Sequence, residues 1–131
     1  MGLLLFIARV LFSILFIMSS IGHFTQRKSM AEYSKSKGVI APDIAVIVTG
    51  LMLLLGGLSV LLGAYVQIGA LLLVIFLVPT AFIMHNFWAI KDPMMKQNEQ
   101  IHFMQDLALG GAAFLIWYLY WATDVPLSIH P

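Results

Sequence analysis

The chain has 131 residues, 61% of them hydrophobic and only 10% charged, against about 25% charged in soluble domains, which excludes an ordinary water-soluble fold and puts the chain in lipid. Its net charge of +1 gives nucleic acid binding no electrostatic support. The absence of cysteine excludes disulfides, thiolate metal sites and dithiol chemistry by this chain alone.

The length predicts one domain over residues 1–131. The apolar runs predict an all-α, integral membrane four-helix bundle, with spans at about 2–21, 44–62, 66–86 and 101–121. In the first run Arg9 lies inside the apolar stretch, and no small-x-small cleavage site closes it. It therefore reads as a retained helix and not as a signal peptide. Ser13, Ser19 and Ser20 let neighbouring helices approach closely. Residues 25–42 are polar and carry Arg27, Lys28, Glu32, Lys35 and Lys37, with Met30 to Ser34 predicting a short helix on the membrane surface. Pro42-Asp43 opens the second span, with Asp43 as the expected helix cap.

From Asp43 to Trp88 the sequence is almost continuously apolar, broken only by GAYVQIG, Gly63 to Gly69. At about 20 residues per crossing this is a transmembrane hairpin. Pro79 lies inside its second arm, where it removes a backbone hydrogen bond, and Thr80 is placed to satisfy the freed carbonyl. Lys91 to Gln100 is polar. The fourth span opens with IHFMQD and closes on Trp117, Tyr118, Tyr120 and Trp121, rings that settle at the headgroup level. A short tail follows, Asp124 to Pro131. Gly56, Gly57, Gly110 and Gly111 serve helix contacts, either within one bundle or in a homo-oligomer. The Lys and Arg of the loops all fall on one side. The positive-inside rule then expects a multi-pass protein of the cell membrane, with both long loops cytoplasmic and both termini outside.

A charged side chain at bilayer depth needs a partner, water or a route to the interface. Arg9 either snorkels to the outer headgroups or turns inward to line a polar pocket, with Ser59 and Tyr118 near its depth. At the other end, His85 and Asp106 fall near the inner boundary with His23, Asn86, His102 and Gln105. His102 and Asp106, four residues apart, share a helix face. Two His and a carboxylate suit a proton relay, a transition metal or an interfacial capping network; no metal is expected. No nucleophile motif, phosphate loop or dinucleotide fingerprint is present.

The ordered set of residues resembles a known family. It comprises Arg9, then SSIGHF ending at Phe24, then Gly38 and Pro42, then GGLSVLLGAYVQIGALLL from Gly56 to Leu73. His85-Asn86-Phe87 and QDLALGG from Gln105 complete it. This is similar to the DoxX/DoxD family of small four-helix membrane proteins. The resemblance implies a four-helix bundle linked to quinone-associated oxidoreduction, either as a subunit of a membrane oxidoreductase or as a member of a complex handling thiol or oxidative stress. Arg9, His85, Gly57 and Gly63 match family positions, and Asp106 falls where Asn is common. Two positions depart from the pattern: Leu53 stands where Glu is frequent, and His23 where Lys is frequent.

The resulting expectation is a quinone, held as substrate, with Arg9, His23, Ser59 and Tyr118 binding it and His85 and Asp106 moving protons. The bilayer and a soluble or membrane oxidoreductase would be the partners. The rival class is a small-solute permease, or a scaffold recruiting a soluble protein. A permease requires a continuous polar path from Arg9 to His85, a scaffold has no internal cavity, and a quinone site is a one-sided apolar pocket open to lipid.

Overall fold

A computed structural model describes residues 2–122. Every long element is a helix: α1 (Gly2–Thr25), α2 (Arg27–Ser36), α3 (Pro42–Leu62), α4 (Val66–Met84) and α5 (Pro93–Ala122), with a 3-10 turn at Phe87–Ala89 between the last two. Among the described residues, α1, α3 and α4 are the helices long and apolar enough to cross a membrane. Helix α5 is 30 residues long, and its first turns are polar. The tail from Asp124 lies outside the described residues.

Several boundaries differ from expectation for local reasons. Asp43 is not the cap of α3. Ala41 takes that position with φ 49°, Pro42 opens the helix, and Asp43 sits in the first turn, where the helix dipole favours an acid. Helix α4 stops at Met84, so His85 is the residue after its last turn. Helix α5 starts at Pro93 and not at Ile101. Asp92 accepts a bond from the Met95 N–H at 3.3 Å, and proline fits the first helical position.

The helices are apolar on nearly every side, so hydropathy does not select the packed face. Small and polar residues do. On α1 the buried residues are Arg9, Ser13, Phe16, Ser20 and His23, and on α3 they include Val46, Gly50, Leu53, Gly57 and Val60. Both sets follow alternating steps of four and three, the spacing that brings two helices together at a shallow left-handed angle. A Cβ on Gly50 would lie 2.9 Å from the His23 Cβ, and one on Gly57 would lie 3.0 Å from Ile17. On the other side of α3, Gly56 faces Leu73 and the Gly69 carbonyl of α4. A core of Phe16, Leu53, Val60, Val66, Leu73, Leu77 and Ala113 fills the bundle away from the long loops. Leu4, Leu11, Met18, Ile44, Ile68 and Leu115 are among the many apolar side chains left on the outside, as expected where the solvent is lipid.

Helix α1 packs on α3, α3 on α4 and α4 on α5, while no comparable backbone approach joins α1 to α5 among the described residues. The four long helices thus form an arc and not a closed ring. Helix α2 lies across its loop-side end, against α3 and α1.

At Gly69 a Cβ would run into the Ser59 side chain. The Ser59 hydroxyl donates to the Ala64 carbonyl at 2.6 Å and so secures the α3–α4 turn. Gly69→Ala is therefore expected to lower stability by about 1–3 kcal/mol. Gly111→Ala, with open space beside it, should be neutral. Thermal unfolding in detergent distinguishes the two.

Candidate functional site

A cavity of about 560 Å³ opens on the concave side of the arc near the long loops, a size typical of small-molecule sites at ~300–1,000 Å³. Its deep wall is apolar: Phe16 from α1, Leu53 from α3, and Phe76 and Leu77 from α4, with Leu15 of α1 and Leu109 of α5 at its sides. Its polar groups gather toward the loops: His23, Tyr33, Thr49, His85, Gln105 and Asp106. Met30, Tyr33 and Ser34 of α2 contribute to its loop-side end. Pro79 also lines it. Lacking an N–H, Pro79 leaves the Ile75 carbonyl one turn earlier without its usual helical donor.

His23 is buried between α1 and α3. Its Nδ1 lies 3.1 Å from the Val46 carbonyl and 3.2 Å from Thr49 Oγ1. Thr49 donates its own proton to the Ala45 carbonyl at 2.6 Å. Nδ1 therefore carries the hydrogen and donates to Val46, an assignment made from the bonding network. That leaves Nε2 with a lone pair and, among the described residues, no hydrogen-bond partner. The edge of the ring meets Phe76, with centroids 5.9 Å apart.

His85 is held between two carboxylates of α5. Its Nδ1 is 2.8 Å from Glu99 Oε2, and its Nε2 is 3.5 Å from Asp106 Oδ2. All three side chains are about one-fifth exposed, at 22%, 19% and 19%. His102 stacks on the other side of the imidazole with centroids 5.2 Å apart. The turn after α4 is pinned by aromatic rings. Phe103 meets Phe82, Phe87 and Trp88 edge-on at 5.1, 5.4 and 5.7 Å. On the loop side, Lys37 Nζ donates to Asn86 Oδ1 at 2.8 Å, tying the loop after α2 to the end of α4. Partial burial, and after it the Glu99 carboxylate, push the Tyr33 phenol above its ordinary value.

Glu99 is absent from the sequence-derived set, yet it makes the shortest contact to His85. His85 and Asp106 line the cavity, whereas Glu99 does not. The three groups therefore run in series from the polar end of α5 to the cavity wall. Asp106 lies several turns inside α5 and has no role in capping it. Among the described residues, no group of three or more His, Asp or Glu side chains is arranged to hold a metal ion.

The remaining sequence-derived residues lie elsewhere. Arg9 is 6% exposed, packed against protein, with its guanidinium 5.9 Å from the centre of the Phe6 ring. It does not line this cavity. Ser59 is committed to the Ala64 carbonyl. Tyr118 is half exposed on the outside of α5 beside Trp121.

No curated protein and no solved structure matches the chain. A family model does: DoxX, over residues 4–86. The match takes in helices α1 to α4, with His23 and His85, and ends before Glu99 and Asp106. Because it covers well over half of the chain and agrees with the apolar helices α1, α3 and α4, this membrane protein belongs to the DoxX family.

Proposed function

We propose that the protein binds a quinone-class hydrophobic redox carrier in the loop-side cavity and serves a membrane oxidoreductase as a subunit or accessory. In this reading the C-terminal part of α5 is the fourth crossing and the basic loops are cytoplasmic, as the one-sided Lys and Arg favour. The observation that carries the reading is the gradient within one cavity, with apolar walls at depth and every titratable lining group at one end. A quinone has the matching form of a polar ring on an apolar body. The cavity weighs against a plain scaffold. The clustering of polar groups at one end, with Arg9 not among them, weighs against a transbilayer polar path for solutes.

His23 Nε2 is the acceptor for a ligand hydroxyl, and it becomes a donor to a ligand carbonyl when the imidazole takes a second proton. Asp106 and His85 exchange protons with the ligand, and Glu99 connects them to the loop side. Imidazole suits this shuttle because its two ring nitrogens take and give a proton on opposite edges. Electrons come from the partner oxidoreductase.

The test is extraction and mass spectrometry of lipids retained by the purified protein. Wild type should retain quinone, and His23→Leu should retain about tenfold less, the effect of one hydrogen bond worth ~1.4 kcal/mol. Tyr118→Phe should match wild type. Absence of quinone from wild type, or equal retention by His23→Leu, would overturn the reading.

A further inference from the structure

The missing contact between α1 and α5 gives the cavity a side opening. Helices α1 and α5 form opposite walls through Leu15, Ser19 and Leu109, but their backbones do not close on one another. Residues that both line the cavity and remain exposed mark where it opens. The apolar ones are Leu15 on α1, 48% exposed, and on the α4 floor Ile75 at 58% and Ile83 at 46%, while the polar Tyr33, 45% exposed, and Gln105 mark a second opening at the loop-side end. Ile75, Pro79 and Ile83 stand one turn apart along that floor, so the whole strip is reached from the side. These residues are apolar and sit on helices of membrane-crossing length. The gap therefore faces acyl chains and not water.

The loop-side end is the polar one. Helix α2 lies across it, and the Lys37–Asn86 bond ties the loop after α2 to the end of α4. A polar head placed against His23, His85 and Asp106 has one apolar way out, along the Ile75–Pro79–Ile83 strip between Leu15 and Leu109. A cavity of about 560 Å³ holds a ring and the beginning of a chain but not a long chain.

We infer that the ligand is a long-chain amphiphile whose head occupies the polar end and whose tail leaves sideways through the seam between α1 and α5. This rests on the quinone reading for the identity of the head, while the seam itself is argued from packing. It also assigns Leu15 and Leu109 to the lips through which the ligand exchanges with the bilayer.

Because the chain has no cysteine, Leu15→Cys and Leu109→Cys each accept a benzophenone maleimide at one position. Photolysis in the native membrane, followed by mass spectrometry, identifies what lies at each lip. The expected result is a long-chain quinone adduct at both lips, reduced at least tenfold by excess tail-less quinone, which competes only for the head site. A different long-chain amphiphile at both lips, competed by its own head group, would support the seam and remove the quinone reading. Adducts only to a second copy of this chain, or to phospholipid that no head-group analogue displaces, would overturn the seam. Quinone recovered in the extract but absent from both lips would also overturn the seam while leaving the quinone reading standing.

Discussion

His85→Ala is expected to lower stability by about 2–4 kcal/mol and to abolish proton uptake linked to ligand binding. The imidazole stands between Glu99 and Asp106, at 2.8 and 3.5 Å. Its removal leaves two partly desolvated carboxylates facing one another with no donor between them, and an abandoned charged group costs more than a lost neutral bond. The one-fifth exposure of all three side chains holds the cost below the ~3–5 kcal/mol typical of a fully buried pair. Glu99→Gln keeps an acceptor for the ring and should cost under about 1 kcal/mol, but it removes the outer proton-exchanging group. Stability is read by denaturation in detergent, and proton uptake by the buffer dependence of the binding enthalpy. A His85→Ala protein within about 0.5 kcal/mol of wild type would mean that the carboxylates do not depend on the ring.

Ser19→Trp is expected to weaken quinone binding at least a hundredfold, about 2.7 kcal/mol, with stability changed by less than about 1 kcal/mol. Ser19 lines the cavity, so an indole there enters existing space and buries apolar surface where the ligand would sit. Its neighbour Ser20 gives the contrast. Ser20 is fully buried, and its hydroxyl donates to the Ile17 carbonyl at 2.6 Å. Ser20→Trp forces the close-packed α1 face apart and should destabilise by about 1–3 kcal/mol or more. Adjacent residues that differ in this way separate blockage of the site from damage to the fold. If Ser19→Trp binds quinone as wild type does, the ligand lies elsewhere.

Much of the fold follows from one-dimensional rules. The lengths of the apolar runs placed α1, α3 and α4, and the break at GAYVQIG placed the hairpin turn. The polar stretch with Met30 and Tyr33 marked the short helix α2. The packed faces were harder to read, because a helix surrounded by lipid is apolar on both its inner and outer sides. The usable signal was the four-three spacing of Arg9, Ser13, Phe16, Ser20 and His23, matched by Gly50 and Gly57 across the interface. Buried small and polar residues carry that pattern in a membrane.

The candidate site was legible in part. His85, Asp106 and His23 stood out as polar groups forced near apolar surroundings. Glu99 was missed because the segment before Ile101 reads as a loop. Asp92-Pro93 is nevertheless a helix start. Extending α5 back to it puts Glu99, His102 and Asp106 on one face at steps of three and four. Ser59 and Tyr118 were grouped with Arg9 by depth alone. Depth does not report rotation about the helix axis, and the structure turns Ser59 to its own turn and Tyr118 to the outside. The open arc left no trace in the sequence, since each helix is apolar enough to close a ring.

The loop-side cavity is proposed to hold a polar-headed apolar ligand. A density map of the protein in lipid nanodiscs with saturating quinone tests it most directly. A ring is expected inside the cavity, with a ligand oxygen about 2.6–3.2 Å from His23 Nε2 or an Asp106 oxygen. A map with the cavity filled by rearranged side chains, and quinone only in the surrounding lipid, would contradict it.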